Sequence, residues 1–260
     1  MSSKYWASRL ARTQTRLTNK SIRATEKQMR QYYTNTMETV IDGFESTYNK
    51  LIATVAAGHE PTPADLYKLD KYWQLQAQVR RELEKMGNKQ IVALSKQFEM
   101  NWFDIYYSIQ VDGKTAYNTL DINAVKTMLN TVWCADGKTW SERIWTNTSL
   151  LQQTLNENLI DCVVAGKKPA QLKELLQNSF GVSYSRADAL VRTELAHIQT
   201  TAAQQRYKDY GIQQVEVFVD EDERTCPICG KHEGDRHSVN DVMPVPFHPR
   251  CRCCMIPVIE

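Results

Sequence analysis

Apolar residues recur along most of this chain at intervals of three and four, the pattern of helices that bury one face. Met37, Val40, Ile41, Phe44, Tyr48, Leu51, Ile52 and Val55 form one such stripe, predicting a helix over about 21–57 that Gly58 ends. Thr62-Pro63 then offers an N-cap and a first-turn proline. The stripe resumes through Leu66, Tyr72, Leu75, Val79, Leu83 and Met86. Beyond an irregularity at Gly87 it continues through Ile91, Leu94, Phe98, Trp102, Ile105 and Ile109. Two long helices joined by a short proline-containing turn are expected to fold back as an antiparallel hairpin. Tyr72, Trp73, Trp102, Tyr106 and Tyr107 read as packing. Asp112-Gly113 breaks the pattern, and Asp121 can cap a further helix to about Trp133.

A different organisation follows the connection Ala135-Asp136-Gly137-Lys138. Trp140 to Val164 reads as a helix ending at Gly166. Pro169 opens a short helix that stops near Gly181, and Ser185 caps another running to about Tyr210, with Gly211 as its stop signal. Val215, Val217 and Val219 alternate strictly, the one clear strand signal. That strand leads through the acidic turn Asp220-Glu221-Asp222-Glu223 into Cys226. The fold class expected is mainly α, a long N-terminal helical hairpin followed by a C-terminal helical domain that ends in a small β and zinc-binding unit. The expected domains are 1–135 and 140–260, with the zinc unit over about 212–260.

The terminal cysteines carry the strongest chemical signal. Cys226-Pro-Ile-Cys229 is followed by His248-Pro-Arg-Cys251-Arg-Cys253-Cys254, in a region with little apolar material for a core. Two thiolates at a Cys-x2-Cys spacing can grip one side of a tetrahedral ion from a tight turn, and a His-x2-Cys pair brought back by a hairpin can close the other. Soft sulfur with one imidazole favours zinc, and a fully protein-ligated site is the structural kind. Cys226, Cys229, His248 and Cys251 are the leading set, with Cys253 the substitute for either of the last two. In an extended segment Cys254 points opposite to Cys251 and Cys253, which makes it a packed spare. His232 and His237 lie in the connecting loop and are not expected to ligate.

Charge adds a second signal. The whole chain is +2, but residues 1–30 hold eight cations against one acid, Glu26, a surplus of seven that leaves −5 for the rest. Arg9, Arg12, Arg16, Lys20 and Arg23 fall on one stripe of a helix, the arrangement expected of a basic arm that follows a phosphate backbone. Double-stranded DNA is therefore one expected partner, and an acidic protein surface would suit the same stripe. Nothing in the sequence approaches a membrane span, and the opening residues hold no apolar run long enough for a signal peptide. Seven cysteines without a secretion signal suit a reducing compartment.

Several motifs stand in a family order. Ser141-Glu142-Arg143-Ile144-Trp145 is followed by Gly166-Lys167-Lys168-Pro169, Leu190-Val191-Arg192-Thr193-Glu194 and Tyr210-Gly211-Ile212. Next come Asp222-Glu223-Arg224-Thr225-Cys226-Pro227-Ile228-Cys229 and Pro246-Phe247-His248-Pro249-Arg250-Cys251-Arg252-Cys253. Over about residues 140–260 the chain resembles the tailed-phage minor head proteins, the phage Mu protein F-like head morphogenesis family. One departure is Cys254, where a small residue or threonine would be more familiar. The resemblance implies a few copies in the capsid interior, bound at or near the portal protein and in reach of scaffold or capsid proteins. Such a protein would be present in the host cytoplasm during assembly and would affect head assembly and DNA packaging or ejection.

Catalysis is not expected. A nucleobase deaminase needs His-x-Glu upstream of its Cys pair, whereas here His232-Glu233 are adjacent and follow Cys226-Cys229. A zinc hydrolase wants an open coordination position. The alternative function is a zinc-containing DNA-binding accessory or regulatory protein, since Lys231, His232, Arg236, His237, Arg250 and Arg252 place positive charge around the cysteines. Arg192 or Glu194 is expected to pair with the Asp222-Glu223-Arg224 turn and hold its helix against the zinc unit.

Overall fold

The computed structural model describes residues 3–55, 59–111, 121–219 and 225–259, with side chains from residue 8. The expected breaks at Gly58 and Asp112-Gly113 lie outside the described residues, as does the acidic turn at 220–224. The fold is mainly α with a small C-terminal sheet. In chain order it runs α1 (Ser3–Thr54), α2 (Pro63–Tyr67), α3 (Asp70–Ser108), α4 (Ile122–Leu129), α5 (Trp140–Val164), α6 (Pro169–Asp209), β1 (Gln214–Phe218), α7 (Pro227–Gly230), β2 (Arg236–Ser238) and β3 (Cys254–Pro257).

Packing divides these elements into two compact units. The first comprises Met1–Glu26, Ala93–Trp140 and Ala189–Glu260, and the second Lys27–Val92 and Ser141–Asp188. The expected boundary at 135–140 divides the chain by position, whereas each unit draws segments from both sides of it.

In the second unit, Val40, Ile41, Phe44, Tyr48 and Leu51 of α1 are buried, as are Leu75, Val79, Leu83 and Met86 of α3. These two segments run antiparallel: a Cβ on Gly43 would meet Leu75, and Lys71 donates to Ser46, so numbers fall on α3 as they rise on α1. Thr62 forms a capping box with Asp65 at the start of α2. Helix α3 passes through Gly87 without interruption. A Cβ there would come within 2.7 Å of the Trp145 ring, so the glycine makes room for an indole.

The two helices expected at 169–181 and 185–210 are one continuous α6. Leu172, Leu176, Phe180, Ser183, Ala187 and Val191 are all buried at helical spacing, so the buried ridge runs straight across Gly181. A mid-helix glycine costs only about 1 kcal/mol, less than burying several such side chains contributes. Of the aromatics expected to pack, Tyr72, Trp102 and Tyr106 are buried, but Trp73 and Tyr107 are exposed.

In the first unit, α1 begins much earlier than its apolar stripe. The inner face here is polar: Gln14, Thr18, Ser21 and Thr25 are buried at helical spacing. Thr18 donates to Gln199 at 2.6 Å, and Gln97 and Asn101 both donate to Ser21. Gln14 donates to the Tyr207 hydroxyl at 2.9 Å, and that hydroxyl donates to the Met255 carbonyl at 3.1 Å. Tyr207 thus ties α1, α6 and β3 together. Burial pushes its phenol well above the ordinary range, so it stays a neutral donor. The sheet is antiparallel throughout, with β1 in the centre of the order β2-β1-β3.

On α6 of this unit, His197 stacks on Trp133 at 4.1 Å, and the Trp133 indole donates to buried Glu194. Burial pushes the His197 imidazole down to about 4. Unfolded, it takes up its proton near 6.5, so the folded state binds fewer protons between those values. Stability from this residue is whole above pH 6.5 and drains as pH falls toward 4, by up to about 3 kcal/mol. His197→Phe keeps the stack and should flatten the fall of thermal midpoint over pH 6.5–4. A titration parallel to that of the unsubstituted protein would show that His197 is not the group responsible.

Candidate metal centre

Two short turns of the first unit face each other. The first begins at Cys226, an extended residue that caps α7 (Pro227–Gly230). Pro227 presets the first helical position, and the Gly230 N–H donates to the Cys226 carbonyl at 3.0 Å. This closes the turn with both thiols on one side, and the Cys229 N–H reaches Cys226 Sγ at 3.4 Å. The second turn runs from His248 to Cys251, closed by the Cys251 N–H to the His248 carbonyl at 3.1 Å. Its corner residue, Arg250, is left-handed with φ 63, a conformation costly for a side chain with a Cβ. The Arg250 N–H donates to the Thr193 hydroxyl of α6 at 3.1 Å, which holds the corner in place.

The side chains meet across the gap. His248 Nε2 lies 3.2 Å from Cys226 Sγ and 3.0 Å from Cys229 Sγ, and Cys229 Sγ lies 3.8 Å from Cys251 Sγ. His248 Nδ1 is 2.8 Å from the Pro249 carbonyl, which can only accept. Nδ1 therefore carries a hydrogen, which leaves Nε2 as the ring nitrogen that faces the thiols. Bonds of about 2.3 Å to sulfur and about 2.0 Å to nitrogen put tetrahedral ligand atoms roughly 3.5–3.8 Å apart. The Cys229–Cys251 separation falls in that range and the two sulfur–imidazole separations are shorter, so the cluster could hold a metal ion after small side-chain shifts.

Five donors share the region. Cys226, Cys229 and His248 form one group whose ligand atoms lie within 4.8 Å of each other, and Cys229, Cys251 and Cys253 form another, with Cys229 common to both. A small cavity of about 40 Å³ is lined by Cys226, Cys229, His248 and Cys253 among others. The four expected ligands thus fall in two overlapping groups joined by Cys229, with Cys226 and His248 in one and Cys251 beside the substitute Cys253 in the other.

The thiols do not share one protonation state. The Cys253 thiol, hydrogen-bonding to Cys251, pulls Cys251 down to about 5. The Cys229 N–H pulls Cys226 down to about 7. Burial pushes Cys229 up to about 12, and the Cys251 thiolate with burial raises Cys253 as well. Burial opposes charge on His248, but the Pro249 carbonyl and the Cys251 and Cys226 thiolates outweigh it and raise the imidazole.

Cys254 turns away into a small core with Ala11, Ile256 and Phe218. His232 stacks on Phe247 and bonds Asp235, and neither it nor His237 joins the donor groups. Arg192 pairs with Glu26 of α1 and Glu194 accepts from Trp133; the partners expected for them, Asp222, Glu223 and Arg224, lie outside the described residues. Thr193 had no assigned role in the sequence, since a threonine inside a helix carries no mark of a distant turn. Arg9, Arg12, Arg16, Lys20 and Arg23 are all exposed on α1.

Residues 153–256 match the sequence model of the family described as Phage Mu protein F like protein, a segment that includes both turns and Thr193. No curated protein and no solved structure matches the chain.

Thr193→Val keeps shape and removes the bond to the Arg250 amide. It should cost about 1 kcal/mol, read as faster amide exchange and easier proteolysis around residues 248–254 with α6 protection unchanged. Equal exchange in both proteins would show that the bond does not hold the corner.

Proposed function

We propose that this chain, a member of the phage Mu protein F-like family through residues 153–256, is a minor head protein with a closed structural zinc that performs no chemistry at the ion. The family match supports a phage head morphogenesis protein, and virion association comes with it. The finer reading is that the protein binds at or near the portal inside the procapsid, alongside scaffold or capsid proteins, and affects DNA packaging or ejection. On this reading residues 140–260 are the head-protein domain with its zinc unit at about 212–260, and residues 1–135 are a helical domain.

The observation that supports the proposal is that Cys229 lies beside His248 on one side and Cys251 on the other, so the two turns of the matched segment bring overlapping groups of sulfur and imidazole donors together. Ligation by four protein side chains would leave no position for a water nucleophile, which favours a scaffold over a catalyst. Extensive helical surface suits contact with other head proteins, and no helix of the described residues is long and apolar enough to cross a membrane. The second reading, a zinc-containing DNA-binding accessory or regulator, draws on the exposed α1 cations. Location separates the two, because a head protein should co-purify with particles at low copy.

Removing the protein from the phage that encodes it should lower particle yield, DNA content or infectivity, measured on gradient-purified particles. Unchanged particles would end the assembly reading. Separately, purified protein should carry about one zinc per chain by elemental analysis. Cys226→Ser should release that zinc and expose residues 212–260 to protease, because structural zinc supplies roughly 10–16 kcal/mol of apparent binding energy in small units. Retention of both zinc and protease resistance would remove Cys226 from the ligand set.

A further inference from the structure

The N-terminal cations are not a free arm. In residues 8–25 the opposite face of α1 is buried, through Ala11, Gln14, Thr18, Ser21 and Ile22. The helix is fixed, so the positions of its charges are fixed too. Arg12, Arg16, Lys20 and Arg23 line a groove of about 580 Å³ whose apolar wall is Phe218, at the end of β1. Thr15 and Asn19 lie between the cations and add neutral hydrogen-bonding groups. Arg9 is exposed on the same helix but does not line the groove.

Among the described residues no carboxylate lines the groove and none of its four cations forms an ion pair. Glu26, the one acid of the N-terminal thirty residues, is paired with Arg192. Consecutive cations Arg12, Arg16 and Lys20 step along the helix by about 6 Å. Four like charges in a concave site with an apolar wall call for an anion with repeating charge and an apolar part between charges. A phosphodiester backbone, with sugars and bases against Phe218, has that make-up.

We infer that this groove binds the phosphate backbone of a nucleic acid strand, with Arg12, Arg16, Lys20 and Arg23 on the phosphates and Phe218 on the adjoining sugar or base. The inference stands on the groove alone and would survive failure of the head assignment. Phe218 packs with Ala11, Cys254 and Ile256, so the groove wall belongs to the same small sheet that carries the cysteine turns.

The test is fluorescence anisotropy of the full chain with labelled single-stranded and duplex DNA over a salt series. If all four cations are neutralised, log K should fall against log salt with a slope of about −3.6 for duplex and about −2.8 for a single strand. The strand that binds more tightly identifies the source. Arg16→Glu with Lys20→Glu should weaken binding at least about tenfold and flatten the slope, with thermal midpoint and zinc content unchanged. Lys27→Gln, outside the groove, should leave binding as it was. Absence of binding, equal loss in the Lys27 variant, or preferential capture of polyglutamate over DNA would overturn the inference, the last by assigning the groove to an acidic protein segment.

Discussion

The approach of two four-residue turns to within 3–4 Å of each other, sulfur and imidazole facing inward, is the constraint on which the C-terminal part of this protein depends. The sheet attached to those turns has strands of five, three and four residues. A sheet that small buries too little to hold itself together in water. It needs cross-links. Among the described residues α6 supplies them through three side chains: Tyr207 to the Met255 carbonyl, Gln204 to the Val239 and Asp241 carbonyls, and Thr193 to the Arg250 amide. Each of these hydrogen bonds has a net value near 1 kcal/mol. A cation held by four of the five facing donors would outweigh all of them.

That comparison of magnitudes is why a scaffold role suits the cluster. Thiols at Cys226 and Cys251 are biased toward thiolate by their neighbours, and His248 offers Nε2 because Nδ1 is committed to Pro249. These features suit metal ligation, whereas burial holds Cys229, common to both donor groups, toward the neutral thiol. The same sheet presents Phe218 to the cationic face of α1, so the stability of the turns and the shape of the groove are one problem. A head component that grips other proteins and touches packaged DNA would gain from that economy of parts.

Much of this was legible in the chain. Trp140 to Val164 was delimited correctly because the apolar period is clean and glycine follows. The Val215, Val217 alternation marked β1, and the Cys-x2-Cys and His-x2-Cys spacings marked the two turns that meet. The start of α1 was not legible from hydrophobicity. Its inner face there is Gln14, Thr18, Ser21 and Thr25, residues that look like solvent positions until Tyr207, Gln199 and Asn101 are placed opposite them. Gly181 looked like a stop because local punctuation says nothing about the ridge of buried side chains on either side. Thr193 and Phe218 act across long sequence separations, and only the fold pairs them with Arg250 and Arg12.

X-ray absorption at the zinc edge of the purified full chain tests the central claim most directly. A closed site predicts four ligands, sulfurs at about 2.3 Å with one nitrogen at about 2.0 Å, and a spectrum unchanged by added small anions. An oxygen ligand that exchanges, or folded protein holding no zinc, would contradict it.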